Sequence, residues 1–254
     1  MGCVIAVASG KGGTGKTSFC ANVAVSLCAL GEKVLLIDAD SGLRSLDLVL
    51  GMSDSLLFSY GDVIRGNAGL KEAAVPHPEA SSLRVLTAPG QPGVGEIYAP
   101  KDISALLQRA RAHFTFTLVD CAAGLGSDVL SFAAAADRAV IVSTSDYTAL
   151  RGAQSTASVF SSIGQQNCAI VVNRLRPGMI QQGSAANVDR AMDASGLSLL
   201  GVVPEDESVI ACGNLGKILA LEDYGAAAQA YMNIAKRLLG RRVRLLDQIP
   251  GKWS

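Results

Sequence analysis

Short, fully apolar runs alternate with longer amphipathic stretches along most of this 254-residue chain. Cys3 to Ala8 is one such run, and Ser18 to Leu30 reads as a helix that Gly31 stops. Further strands are expected at Lys33 to Ile37, Leu83 to Leu86, Phe114 to Val119, Arg138 to Ser143, Cys168 to Val172 and Leu197 to Val203. Helices are expected at Lys101 to Ala112, Thr148 to Ser162 and Gly225 to Leu239, with short ones near Val63-Ile64 and Leu70 to Val75. Ala88 to Gly93 is a turn-rich loop. Continuous apolar strands, unlike alternating ones, are covered on both faces. Strand and helix follow one another without repeat or linker, which predicts one doubly wound, mostly parallel α/β sheet flanked by helices. That domain is expected to span residues 1–240, leaving 241–254 as a basic tail.

Composition narrows the classes. Half the residues are hydrophobic and 22 basic residues balance 22 acidic ones, so a large core is affordable and a wholly basic, nucleic-acid-binding surface is excluded. Six cysteines form no C-x-x-C pair and sit in apolar surroundings, reading as reduced core residues. No basic n-region with an apolar stretch opens the chain, and no run of about 18 apolar residues crosses a membrane. Met1-Gly2-Cys3 is not read as a lipidation signal, because Ala6 stands where Ser or Thr belongs. A cytoplasmic protein is expected. His77 and His113 have no ligand at metal-binding spacing and read as structural.

The chemistry concentrates directly after the first strand. Gly10-Lys11-Gly12-Gly13-Thr14-Gly15-Lys16-Thr17 fits G-x-x-x-x-G-K-[ST], and Ser18 opens the helix behind it. Glycines let backbone N–H groups turn inward around an anion, Lys16 reaches the β- and γ-phosphates, and the Thr17 hydroxyl holds Mg²⁺. The pattern implies a bound nucleoside triphosphate. Asp38 and Asp40 end the second strand, and Asp120 ends the strand at 114–119, where open α/β sheets bind ligands. Each acid also suits a helix N-cap.

Lys11 is not required by the general pattern. Lys-Gly-Gly-Thr-Gly-Lys-Thr resembles the deviant phosphate loop of the MinD/ParA class of ATPases, and the likeness runs from residue 3 to about 240. The stretch Ser41-Gly42-Leu43-Arg44-Ser45-Leu46-Asp47-Leu48 resembles the first switch of the MinD branch. The resemblance implies ATP hydrolysis with Lys11, Lys16 and Asp40 as catalytic groups. Lys11 crosses a dimer interface to the partner's phosphates and Asp40 orients the attacking water. By the same resemblance Asp38 and Asp120 join Thr17 around Mg²⁺, Ser41 to Arg44 and Gly124 belong to switches, and Asn173, Arg174, Pro204, Glu205 and Asp206 enclose adenine. Cys121-Ala122-Ala123 departs from the family's usual Ser-Pro or Thr-Pro between the acid and glycine. Cys121 also stands at the wrong offset from Asp120 for the cluster cysteine of iron–sulfur relatives.

The implied function is division-site placement by an ATP-dependent homodimer, with a division inhibitor (MinC-like) and an ATPase-stimulating partner (MinE-like). Arg151 matches the partner-binding helix, although Gly152 and Gln154 replace acidic residues common beside it. In the tail, Lys236, Arg237, Arg241, Arg242 and Arg244 interleave with Leu239, Val243, Leu246 and Ile249. This reads either as a basic amphipathic segment on an anionic membrane's inner face or as a packed or solvated tail, cut by Gly240, Pro250 and Asp247 and followed by Trp253. A DNA-bound partition or other cargo-positioning ATPase is the second reading.

Overall fold

A computed structural model describes residues 2–53, 55–90, 98–222 and 225–245. The elements run β1 (Cys3–Ala8), α1 (Lys16–Ala29), β2 (Val34–Ala39), α2 (Leu46–Val49), α3 (Tyr60–Arg65), α4 (Leu70–Ala73), β3 (Val75–Pro76) and β4 (Leu83–Leu86). They continue with α5 (Pro100–His113), β5 (Phe116–Cys121), α6 (Ser127–Ala135), β6 (Arg138–Ser143), α7 (Tyr147–Ser162) and β7 (Cys168–Leu175). The described chain closes with α8 (Pro177–Gln181), α9 (Val188–Ser195), β8 (Ser198–Pro204), α10 (Glu207–Asn214), α11 (Leu219–Glu222) and α12 (Ala226–Leu238).

One eight-stranded sheet has the order β3-β4-β2-β5-β1-β6-β7-β8. Every pairing is parallel except β3 with β4. The two-residue β3 replaces the end of the helix expected at 70–75. Pro76 pushes Val75 into extended backbone, where it pairs with Val85. Two apolar clusters cover the two faces of the sheet, one containing Leu106, Phe132 and Phe160, the other Phe19, Leu36 and Tyr231. α1 is apolar all round because it lies between the sheet and α2, α11 and α12.

Strand order reverses at β1. The chain moves from β1 past β5 to β2, then returns through β5 to β6 on the other side. The crevice at the carboxyl ends of β1, β2 and β5 is therefore the topological switch point, and the glycine-rich loop falls there. No described helix is long and apolar enough to cross a membrane. The tail readings at Leu246, Asp247, Ile249, Pro250 and Trp253, and residues 91–93 of the turn-rich loop, lie outside the described residues.

Candidate functional site

The loop from Gly10 to Gly15 joins β1 to α1, and its last glycine has both a backbone angle and a neighbour that disfavour a side chain. Gly15 has φ +83° at the helix N-terminus, and a Cβ there would lie 2.4 Å from the Asn173 amide nitrogen. Asn173 uses that space to donate to the Thr14 carbonyl at 2.7 Å. A side chain on Gly10 would collide with the Gly152 backbone at 2.3 Å, so α7 seats directly against the start of the loop. Thr17 and Ser18 are half-buried in the first turn of α1.

Lys16 and Asp120 form a buried pair, Nζ to Oδ1 at 2.8 Å, with the side chains 8% and 1% exposed. Burial opposes the Lys16 charge, but the Asp120 carboxylate outweighs it and the net direction of the Lys16 pKa is upward. Cys20 also donates to Asp120 Oδ1, at 3.6 Å. Burial raises the Cys20 and Cys121 thiols, Cys121 to about 12, in keeping with their reading as inert core groups.

Asp38 and Asp120 lie inside their strands rather than after them, since β2 and β5 stay paired through Asp38↔Asp120 and Ala39↔Cys121. The ladder outweighs the poor strand preference of aspartate. Asp38 Oδ1 accepts the Asp40 N–H at 2.9 Å and Oδ2 the Leu46 N–H at 3.3 Å. Burial, and then the neighbouring Asp120 charge, push the Asp38 pKa up to about 7. Two buried carboxylates side by side, Asp38 and Asp120, form a donor set that suits a hard divalent cation. The Thr14 hydroxyl, Asn173 Oδ1 and the Ser9 hydroxyl just before the loop are buried and unpaired, which suits a site for a polar ligand.

The two stretches expected to act as switches are held by backbone hydrogen bonds. Ser41 to Arg44 fold into a turn in which the Asp40 carbonyl accepts the Arg44 N–H at 2.9 Å and Asp40 Oδ1 accepts the Leu43 N–H at 3.2 Å. Gly124, with φ +90°, donates its N–H to the Ser9 carbonyl at 3.0 Å.

Across the crevice, the ends of β7 and β8 contribute charged rather than buried groups. Arg174 has φ +55° where the β7–β8 register shifts. Its guanidinium donates to the Gly13 carbonyl at 3.3 Å and to Glu205 Oε1 at 3.1 Å. Arg176 donates to both Glu205 oxygens, and these hydrogen bonds, Arg176 first, hold the Glu205 pKa below the usual carboxylate range. A cavity of about 310 Å³ lies between Lys11–Thr14, Thr144–Asp146 and the Arg174–Arg176–Glu205 group, with Met179 on its wall. Two expectations shift here. Asn173 lies beneath the loop, 3% exposed, its amide nitrogen committed to Thr14 rather than open to a base. Asp206 caps α10, accepting the Ser208 N–H at 2.9 Å, and neither it nor the buried Pro204 lines the cavity.

The two lysines of the loop part company. Lys11 stands 55% exposed, donating to Thr148 Oγ1 at 3.2 Å and facing Asp146 Oδ1 at 3.7 Å. Asp146 N-caps α7 through the Ala149 N–H, and hydrogen bonds from Thr144, Thr148 and Ala149, working against partial burial, hold its pKa down at about 2. The capping signal of Asp146 is legible in the chain; its contact with Lys11, 135 positions away, is not. Arg176 was equally unmarked. Among the described residues no three His, Cys, Asp or Glu side chains form a further metal cluster.

The CobQ/CobB/MinD/ParA nucleotide binding domain family matches residues 5–219. The septum site-determining protein MinD of Bacillus subtilis is 33% identical over 248 residues, covering 96% of this chain and 92% of that protein. Among solved structures, a chain of the MinC:MinD cell division protein complex of Aquifex aeolicus superposes with a TM-score of 0.89 at 30% identity, covering 96% of this chain and 98% of that one. The septum site-determining protein MinD of Pyrococcus horikoshii, complexed with Mg-ADP, gives 0.81 at 26% identity, covering 94% and 96%.

Proposed function

The chain belongs to the MinD family of septum site-determining ATPases, and from that premise we propose that ATP joins two copies of it through Lys11 and that the joined state is its output. It is an ATP hydrolase using ATP and Mg²⁺, of the kind that governs division-site placement. The observation that carries the dimer reading is the separation of the lysines. Lys16 is buried against Asp120 within its own chain, whereas Lys11 stands exposed at the rim and reaches only surface partners.

In this reading the loop N–H groups and Lys16 hold the β- and γ-phosphates. Thr17, Asp38 and Asp120 hold Mg²⁺, which when bound neutralises charge developing on the phosphate oxygens. Asp40, fixed at the mouth by its bond to the Leu43 N–H, orients the attacking water. Lys11 from the second copy trades its surface pair with Asp146 for a triphosphate, and loses that partner after hydrolysis. Residues 1–240 act as the ATPase unit. A MinC-like inhibitor and a MinE-like activator are the proposed partners, the first supported by the relative's MinC:MinD complex. Exposed Arg151 on α7 is the proposed activator contact, and exposed Arg241, Arg242 and Arg244 are the proposed start of a membrane-facing segment on the inner leaflet.

Lys11→Ala should abolish ATP-dependent dimerisation in light scattering while the Kd for ATP changes little; a mutant that still dimerises and hydrolyses ATP normally overturns the role given to Lys11. Co-sedimentation with anionic vesicles under ATP but not ADP supports surface association, whereas salt-sensitive DNA retention without lipid binding favours the partition reading.

A further inference from the structure

We propose that Arg44 is a positioning residue whose guanidinium, clasped to Thr87 and seated over Gly90, fixes the turn that aims the Asp40 carboxylate. The inference rests on the reading of Asp40 as the water-orienting acid.

Arg44 is one of only two described non-glycine residues with positive φ, at +45°. The left-handed region crowds a side chain against its own carbonyl, so a neighbour must hold it there. Two contacts do so. The Arg44 N–H closes the turn onto the Asp40 carbonyl at 2.9 Å. Forty-three positions away, Thr87 Oγ1 accepts from Arg44 Nη2 at 3.3 Å.

The far end of this clasp is fixed. Thr87 is 3% exposed, follows β4, bridges to Ser59 and accepts the Tyr60 N–H on its carbonyl at 2.9 Å. Tyr60 is buried edge-on against Phe132. The guanidinium also needs the bare surface of Gly90, where a Cβ would come within 2.2 Å of Nη1. Arg44 Nε is buried with no partner, so the group is held through Nη2 and by shape. A planar fork suits this slot, and a flexible ammonium does not.

The chain of contact is therefore core, Thr87, Arg44, turn, Asp40 Oδ1 on the Leu43 N–H. Loosening any link lets the carboxylate wander without touching the phosphate loop. Small displacements of an orienting group lower turnover while leaving ground-state binding intact.

The test uses the full chain with Mg-ATP and compares Thr87→Val, Gly90→Ala, Arg44→Lys and Asp40→Ala. Thr87→Val removes the acceptor at nearly constant shape, and Gly90→Ala displaces the guanidinium from outside the site. Both should lower kcat roughly tenfold while the Kd for a fluorescent ATP analogue stays within about twofold. Arg44→Lys, which removes the planar fork itself, should lower kcat at least as much with the same small change in Kd. Adding Thr87→Val to Asp40→Ala should cost nothing further, because both act through the same carboxylate. If Asp40→Ala is slow but Thr87→Val and Gly90→Ala turn over normally, the clasp has no positioning role. If kcat and ATP affinity fall together, Arg44 is merely structural and the proposal fails. If Asp40→Ala turns over at the unaltered rate, the reading of Asp40 fails and takes the proposal with it. Should Thr87→Val unfold, Gly90→Ala and Arg44→Lys carry the same comparison.

Discussion

The two ends of the crevice use charged side chains in opposite ways. Where β1, β2 and β5 end, Lys16, Asp38 and Asp120 are nearly free of solvent, and Lys16 has its counter-charge, Asp120, at 2.8 Å. Where β7 and β8 end, Arg174, Arg176 and Glu205 form a network with a quarter or more of each side chain in water. Desolvated charges interact strongly and cannot lose a partner cheaply, whereas exposed ones are screened and exchangeable. The phosphate end is thus a fixed electrostatic frame. The other end is an adjustable clamp that reaches the frame through Arg174 and the Gly13 carbonyl.

Four measurements test that contrast. Asp120→Ala leaves Lys16 buried without its counter-charge, so equilibrium denaturation should register a loss of about 3–5 kcal/mol. A loss below about 1 kcal/mol would mean that water reaches Lys16 and that the frame is not buried in solution.

The second measurement is pH. Folding raises the Asp38 pKa from the ordinary carboxylate value to about 7, so the folded state binds that proton more tightly than the unfolded chain does. The resulting stabilisation is complete in acid and is lost as pH rises through about 7. In Mg²⁺-free buffer, Asp38→Asn should therefore gain stability on the unaltered chain between about pH 5 and pH 8, by roughly 2–4 kcal/mol. A difference that stays flat with pH would remove Asp38 from the buried frame.

Gly15→Ala should cost about 1–2 kcal/mol from the left-handed backbone alone. Its collision with the Asn173 amide should weaken ATP binding as well, read as a higher Kd in fluorescence titration. Last and smallest, Glu205→Gln should change stability by less than about 1 kcal/mol, and the difference should vanish in high salt. A larger, salt-insensitive effect would show that the exposed clamp is as rigid as the frame.

Much of this was written in local pattern. The glycine-rich loop could be placed between β1 and α1 because an apolar run, turn residues and an apolar helix follow one another without interruption. The same pattern put acids at the ends of β2 and β5. What escaped it was contact across sequence. Arg44 meets Thr87, Lys11 meets Asp146, and Gly10 packs on Gly152, none of which has a periodicity or spacing that announces it. The strands run past their apolar stretches for the same reason, since pairing between β2 and β5, not residue preference, carries each strand through its aspartate.

The sequence by itself determined the layered α/β fold and the phosphate-binding loop, because hydrophobic period and glycine spacing are local properties of the chain. Only the tertiary structure decided which polar groups lose their water and which keep it. Lys16 and Lys11 are the same residue type five positions apart, yet one is sealed against Asp120 and the other lies open at the rim. Burial depends on what packs above a residue, and that is set by strands and helices far away in the chain.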